Sequence, residues 1–392
     1  MSQQLINLSF DLSRLRDDGY EVSIEHGHLV VRNIPYVNVQ QQIAYGILVS
    51  TLALAGNQTI KPDTHTIMFS GEFPCTKDGT PIENIRHNSN SRNIGPDLDV
   101  QHSFSSKPRN GYDDYHQKVT TYATILSSHA EALNPEVTPR THRIIEAADD
   151  SPFKYFDNAS GRAGIVNLTR KLENQKIAIV GLGGTGSYVL DLVAKTPVRE
   201  VHLFDGDTLE QHNAFRTPGA VPLEALKTKP LKVDYFQAVY QNMHKYIIAH
   251  PDYVSAENVQ VLQGCDIVFL CIDANDAKPM IIQALEESGT SFIDVGMGLE
   301  LVGDRLVGTL RTATSTPSQR SHIHERKRVP LKLPAANDIY HQNIQVADLN
   351  ALNACLAILR WKRLLGFYHD TEHEHFSLFT LDGNHILNED VA

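Results

Sequence analysis

The stretch from Lys176 to Arg216 limits what this chain can fold into more than any other. An apolar run, Ile177-Ala178-Ile179-Val180, passes directly into Gly181-Leu182-Gly183-Gly184-Thr185-Gly186. A helix-like segment follows from Ser187 to Lys195, then a second apolar run, Val201-His202-Leu203-Phe204, that ends in Asp205-Gly206-Asp207. Strand, glycine turn, helix, strand and acid, in that order, open a nucleotide-binding α/β fold. Gly181 permits the tight turn, Gly183 lets a phosphate approach the backbone, and Gly186 lets the helix pack on the sheet. The N–H groups at the helix start then receive phosphate oxygens. Taken alone, this turn and Asp205, placed where an acid holds a ribose hydroxyl, suit an NAD-dependent oxidoreductase as well as any other nucleotide enzyme.

The residues that follow favour ATP. After Asp205 and Asp207 comes His212-Asn213-Ala214-Phe215-Arg216, then a helical segment with Lys229 and Lys232, then an apolar run from Asp266 that ends at Asp273. Hydride transfer has no use for an Asn-x-x-Arg just after the ribose acid. Cleavage of ATP between its α and β phosphates does, because charge develops on the phosphoryl oxygens and on the departing pyrophosphate. Arg216 and Lys232 are the candidate cations. Asp273, at the carboxyl end of a strand where open α/β sheets bind ligands, is the candidate Mg²⁺ ligand.

With these residues in place, the chain from about Leu172 onward resembles the ThiF/MoeB/HesA family, the adenylating domains of ubiquitin-activating enzymes and their bacterial relatives. The matching elements are Gly181-Leu182-Gly183-Gly184-Thr185-Gly186, the pair Asp205 and Asp207, Asn213-Ala214-Phe215-Arg216, Lys232 opening a helix, and Asp273. The resemblance implies activation of the C-terminal carboxylate of a ubiquitin-like or sulfur-carrier protein, giving an acyl-adenylate and pyrophosphate. It implies that Asp205 holds the ribose, that Asn213, Arg216 and Lys232 (with Lys229 as the alternative lysine) contact the phosphates, and that Asp273 binds Mg²⁺. It also implies a homodimer. A non-catalytic partner-binding module that keeps the fold is the other reading, and the retained Asn213, Arg216, Lys232 and Asp273 weigh against it.

At 392 residues the chain has room for two domains. The reading is a smaller α+β domain over 1–155, followed by the Rossmann-like α/β adenylation domain over 156–392. Lys plus Arg number 35 against 46 Asp plus Glu, a net charge of −11, so no basic face is expected for nucleic acid or an anionic membrane. No segment reaches the ~20 apolar residues of a membrane span, and Met1-Ser2-Gln3-Gln4 opens no signal peptide, so a cytoplasmic protein is expected.

In the first half, Val22 to Ile34 reads as two strands about Gly27, and Gln40 to Ala55 as a helix stopping at Gly56-Asn57. Thr64 to Phe69 reads as a strand, His87 to Gly111 as a long loop, and Tyr112 to Leu133 as a helix. This half resembles a domain fused to ThiF-like modules in bacterial ubiquitin-like conjugation operons, on Phe69-Ser70-Gly71-Glu72-Phe73-Pro74 and on overall order. That resemblance offers a degenerate ubiquitin-conjugating-like fold and carries over no catalytic residue.

Two departures from the family pattern matter. Cys75, Cys265, Cys271 and Cys355 form no C-x-x-C pair, so no structural zinc is expected. From Asp273 to Ala354 there is no cysteine to take the acyl group as a thioester. The matching region, Gly308 to Ser318, is rich in hydroxyls instead. Three routes follow: transfer of the adenylate directly to a partner such as a conjugating enzyme, use of a distant thiol such as Cys75, or an oxyester on Ser315. The serine would need a base, and His322 and His324 are the nearest candidates in sequence.

Overall fold

The computed structural model describes residues 2–144, 147, 151–273, 276–331 and 344–391. The chain divides into two compact units: Met1–Ala148 with Tyr155–Val166, and Asp149–Lys154 with Asn167–Ala392.

The first unit is built on a sheet of β1 (Glu21–Glu25), β2 (His28–Val37), β3 (Ile43–Thr51), β4 (Thr66–Ser70), β5 (Arg86–Asn88) and β6 (His102–Ser105). Their order is β1-β2-β3-β4-β6-β5, with antiparallel neighbours throughout. Helix α1 (Tyr115–Leu133) starts at Asp114, whose side chain accepts from the Gln117 N–H. The helix packs Tyr115, Val119, Tyr122 and Leu126 against Leu29, Val31, Leu48 and Phe69 of the sheet. Two stretches differ from the sequence reading. Ile43–Thr51 is a strand, not a helix. Leu48 faces the α1 core while its neighbour Val49 packs with Leu98 and Val100 on the other face. A strand covered on both faces loses its alternation, and its apolar run imitates helical spacing. The expected loop after His87 holds short strands, Arg92–Gly95, Leu98–Val100 and β6; Ile94, Leu98 and Val100 of the first two supply that second apolar layer, while Phe104 of β6 joins the α1 core.

The second unit is α/β, as its glycine turn implies. Strands β7 (Lys176–Val180), β8 (Glu200–Phe204), β9 (Ile247–His250), β10 (Ile267–Leu270) and β11 (Ser291–Val302) are parallel. Strands β12 (Arg305–Ser315), β13 (Glu374–Thr380) and β14 (His385–Val391) extend the sheet antiparallel, in the order β9-β8-β7-β10-β11-β12-β13-β14. Both faces are covered. Ile177 and Ile179 pack with Val189, Leu190 and Trp361 on one side, while Ala178 and Val180 pack with Ile281, Ile282 and Leu285 on the other. Helices α2 (Gly184–Val193), α3 (Lys232–Tyr240), α4 (Ala277–Ser288) and α5 (Ala347–Leu364) supply these layers. Among the described residues, no helix is long and apolar enough to cross a membrane.

Candidate nucleotide site

The sheet order brings the carboxyl ends of β7, β8 and β10 and the middle of β11 together over one cavity of about 320 Å³. Its floor is the glycine turn. Gly181 has φ +90°, and a Cβ there would lie 2.7 Å from the Cys271 carbonyl oxygen. A Cβ on Gly186 would fall 1.9 Å from the Gly181 oxygen, so the first turn of α2 closes on the strand only with glycine. A Cβ on Gly183 would meet nothing within 4 Å, and the space beyond it is the cavity. Gly184 faces α5, where a Cβ would fall 2.1 Å from the Asn350 amide.

The acids at the end of β8 brace this floor. Asp205 is buried, and its carboxylate accepts from the Leu182 N–H at 2.7 Å and the Asp207 N–H at 2.9 Å. Lys232, the first residue of α3 and only 6% exposed, lies 2.6 Å from Asp207 and 3.5 Å from Asp205. Tyr253 donates a short hydrogen bond to Asp207. Burial pushes the Asp207 carboxyl up, but the bonds from Lys232 and Tyr253 outweigh it and hold the group below the usual carboxylate range. Arg216 lines the cavity half-buried, and its Nε has no hydrogen-bond partner among the described residues. Burial lowers its pKa, partly offset by the charge of Asp273, which lines the same cavity.

Of the residues singled out in the sequence, Gly181, Gly183, Gly184, Asp205, Asp207, Arg216, Lys232 and Asp273 line this cavity. Gly186 lies behind it. Asn213 is buried just outside, where its side-chain oxygen accepts from the Glu210 N–H in a capping box. Lys229 is exposed, in a left-handed conformation (φ +47°) at the end of Leu223–Thr228, and is not part of the lining.

Ser315 lies elsewhere. It is fully buried near the end of β12 and pairs with Phe292 at the amino end of β11. The cavity sits farther along β11, at Val295 to Met297. Gly296 stands four steps along the strand from Phe292, roughly 13 Å. The hydroxyl-rich run is thus an interior strand, and the Ser315 hydroxyl has no partner among the described residues. His322 is buried with its ring edge-on to His375, and His324 is paired with Glu286 at 2.9 Å. Cys75 is 2% exposed, and burial, reinforced by Glu72, pushes its thiol pKa up.

Sequence reasoning passed over Tyr253, Asn350 and Asn353. The two asparagines stand at i and i+3 on α5, each 1% exposed, amid leucines and alanines. Asn350 accepts from the Thr185 hydroxyl at 2.9 Å, and Asn353 donates to the Gly296 carbonyl at 3.2 Å. Two amides on the apolar stripe of a helix are the signal that marks them. Among the described residues, no group of three or more His, Cys, Asp or Glu side chains is placed to hold a metal.

Comparison with known proteins gives the chain its relatives. Residues 10–158 match a family described as a domain of unknown function, DUF6791. Ubiquitin-like modifier-activating enzyme 5 of Drosophila grimshawi is 26% identical over 172 residues, 41% of this chain and 43% of that protein. The Dictyostelium discoideum enzyme of the same name is 27% identical over 163 residues, 39% and 42% of the two chains. The chain thus spans less than half the length of these curated relatives. Among solved structures, MccB, a microcin C7 biosynthetic enzyme, in complex with N-formylated MccA is 16% identical with a TM-score of 0.46, covering 60% of this chain and 70% of that one. E. coli MccB with ATP is 15% identical with a TM-score of 0.45, covering 58% and 66%. Residues 158–372, more than half of the chain, match the model of the ThiF family, and the chain belongs to that family.

Proposed function

We propose that the cavity binds ATP and that the chain adenylates the C-terminal carboxylate of a small ubiquitin-like or sulfur-carrier protein. The observation that carries this reading is Arg216. A guanidinium held half-buried with an unpartnered Nε, beside Lys232 and above an open glycine turn, asks for a multiply charged anion. The name borne by the activating-enzyme relatives supports the same reading.

The chemistry follows from the positions. Phosphate oxygens take the N–H groups at the start of α2, over the open side of Gly183. Asp205 has lone pairs to spare for a ribose hydroxyl beyond the two N–H groups it already accepts. The carrier's carboxylate oxygen forms a bond to the α-phosphorus. The bond to the bridging oxygen breaks, and pyrophosphate leaves with the electron pair. Arg216 and Lys232 stabilise the charge that collects on the phosphoryl oxygens and the leaving group. Of the three carboxylates that line the cavity, Asp205 and Asp207 are bonded to Lys232 and to backbone N–H groups, and Asp273 would hold a Mg²⁺ ion that takes its other ligands from phosphate and water. The metal, when bound, neutralises phosphate charge.

With Ser315 and Cys75 both buried, the acyl group passes to a nucleophile on a partner rather than to either of them. The test is exchange of radiolabelled pyrophosphate into ATP, with small carrier proteins encoded beside this chain. Carrier-dependent exchange is expected. No exchange with any carrier, together with tight NAD binding, would replace this reading with an oxidoreductase.

A further inference from the structure

Three charged side chains meet behind the cavity wall and take no part in the chemistry above. Asp294 on β11 is fully buried, and Lys278 on α4 is 1% exposed. Lys278 Nζ lies 2.5 Å from Asp294 Oδ1, and Arg311 Nη2 on β12 lies 2.6 Å from Asp294 Oδ2. Arg311 also donates to the Arg328 carbonyl at 2.8 Å. Its path runs over Gly296, where a Cβ would fall 2.5 Å from the guanidinium. A glycine in the cavity wall is therefore what admits the arginine. Buried triads of this kind are poor sources of stability, because apolar replacements of similar volume often do as well or better. A triad of this kind beside a site therefore calls for a task other than stability.

The task is visible at the lysine. Besides its ion pair with Asp294, Lys278 Nζ donates a hydrogen bond to the Ile272 carbonyl at 3.0 Å. That carbonyl belongs to the peptide group that leads into Asp273. The peptide is planar, so holding its oxygen restrains the Asp273 N and Cα, from which the carboxylate projects. The last sheet pair in this region is Leu270 with Asp294, so Asp273 stands three residues past the ladder. Asp294 thus closes the ladder and, through Lys278, reaches past its end to the segment that carries the carboxylate.

We propose that Lys278, held by Asp294 and Arg311, is a positioning residue that sets the Asp273 carboxylate for a divalent cation bound with ATP. This rests on the nucleotide reading above. Mg²⁺ demands near-ideal octahedral geometry and tolerates little displacement of a ligand. Loss of the lysine should therefore weaken the metal's contribution and leave the nucleotide's own contacts in place.

The experiment measures ATP affinity by titration calorimetry, with and without Mg²⁺, for wild type, Asp273→Asn, Lys278→Met and the double variant. In wild type Mg²⁺ is expected to strengthen ATP binding. In Lys278→Met that enhancement should fall about tenfold, as for other residues that orient metal ligands. Affinity without metal should stay within about twofold, and adding Asp273→Asn should cost nothing more. A merely structural lysine would lower both affinities together. A companion variant, Lys278→Met with Asp294→Leu and Arg311→Met, removes all three charges from the core at once and keeps the fold. It should show the same selective loss. A folded variant of either kind with the wild-type enhancement overturns the proposal. Wild-type protein that binds no ATP overturns the nucleotide reading itself, and the positioning role falls with it.

Discussion

At the scale of single residues, Arg216 is the sharpest test of the site. Its unpartnered Nε means little folding energy rests on it, so Arg216→Ala should leave the melting temperature nearly unchanged. Pyrophosphate exchange should drop about 10²–10³-fold, the usual loss for one donor aimed at developing charge. Ser315 behaves in the opposite way. Ser315→Ala should leave exchange intact and change stability by less than about 1 kcal/mol, because the buried hydroxyl has no partner to lose. A variant with all four cysteines changed to serine should still adenylate the carrier and release pyrophosphate. Cys355, on the exposed side of α5, is the accessible thiol whose loss such a variant also tests. That Arg216, Lys232 and Asp273 would gather at one cavity was legible in the sequence because charged residues at fixed distances from a glycine turn have few other reasons to be there. The burial of Ser315 away from the cavity was not legible, because the chain gives no sign of which end of a strand lies near a site. Asn350 and Asn353 were missed because the helix was read for its leucines.

At the scale of elements, the glycine turn separates folding from binding. Gly186→Ala should destabilise the second unit, since its methyl would overlap the Gly181 carbonyl. Gly183→Ala has room for its methyl but places it where a phosphate must lie. It should melt near wild type and lose ATP binding, with paired thermal melts and titrations checking both. Strands β7, β8 and β10 were legible because parallel strands covered on both faces read as unbroken apolar runs. The same feature hid β3, where Leu48 and Val49 feed opposite apolar layers and the pattern passes for a helix. β12 was hidden by its hydroxyls, because Thr312, Thr314 and Ser315 are all buried despite being polar.

At the scale of the whole molecule, the second unit carries several buried neutral histidines. His375 is the extreme case, with burial, aided by the Arg360 charge, lowering its pKa to about 4. Between about pH 6.5 and 4 the unfolded chain binds this proton and the folded chain does not. Stability is therefore full above pH 6.5 and falls as pH drops through this window, by something on the order of 3 kcal/mol for this residue. His375→Gln should flatten the slope of melting temperature against pH between 6.5 and 4, and an unchanged slope would assign the acid sensitivity to other groups. The claim that organises the rest is that this cavity breaks ATP between its α and β phosphates in service of a carrier's carboxylate. The most direct measurement is the product ratio from α-labelled and γ-labelled ATP, incubated with Mg²⁺, the chain and a small carrier, and resolved by chromatography. Pyrophosphate released from γ-labelled ATP, with the α-label passing to the carrier as its adenylate and reaching free AMP only as that adenylate is hydrolysed, seen only with carrier and not with Arg216→Ala, is the result this account predicts. ADP with phosphate, or intact ATP under every carrier tried, would contradict it.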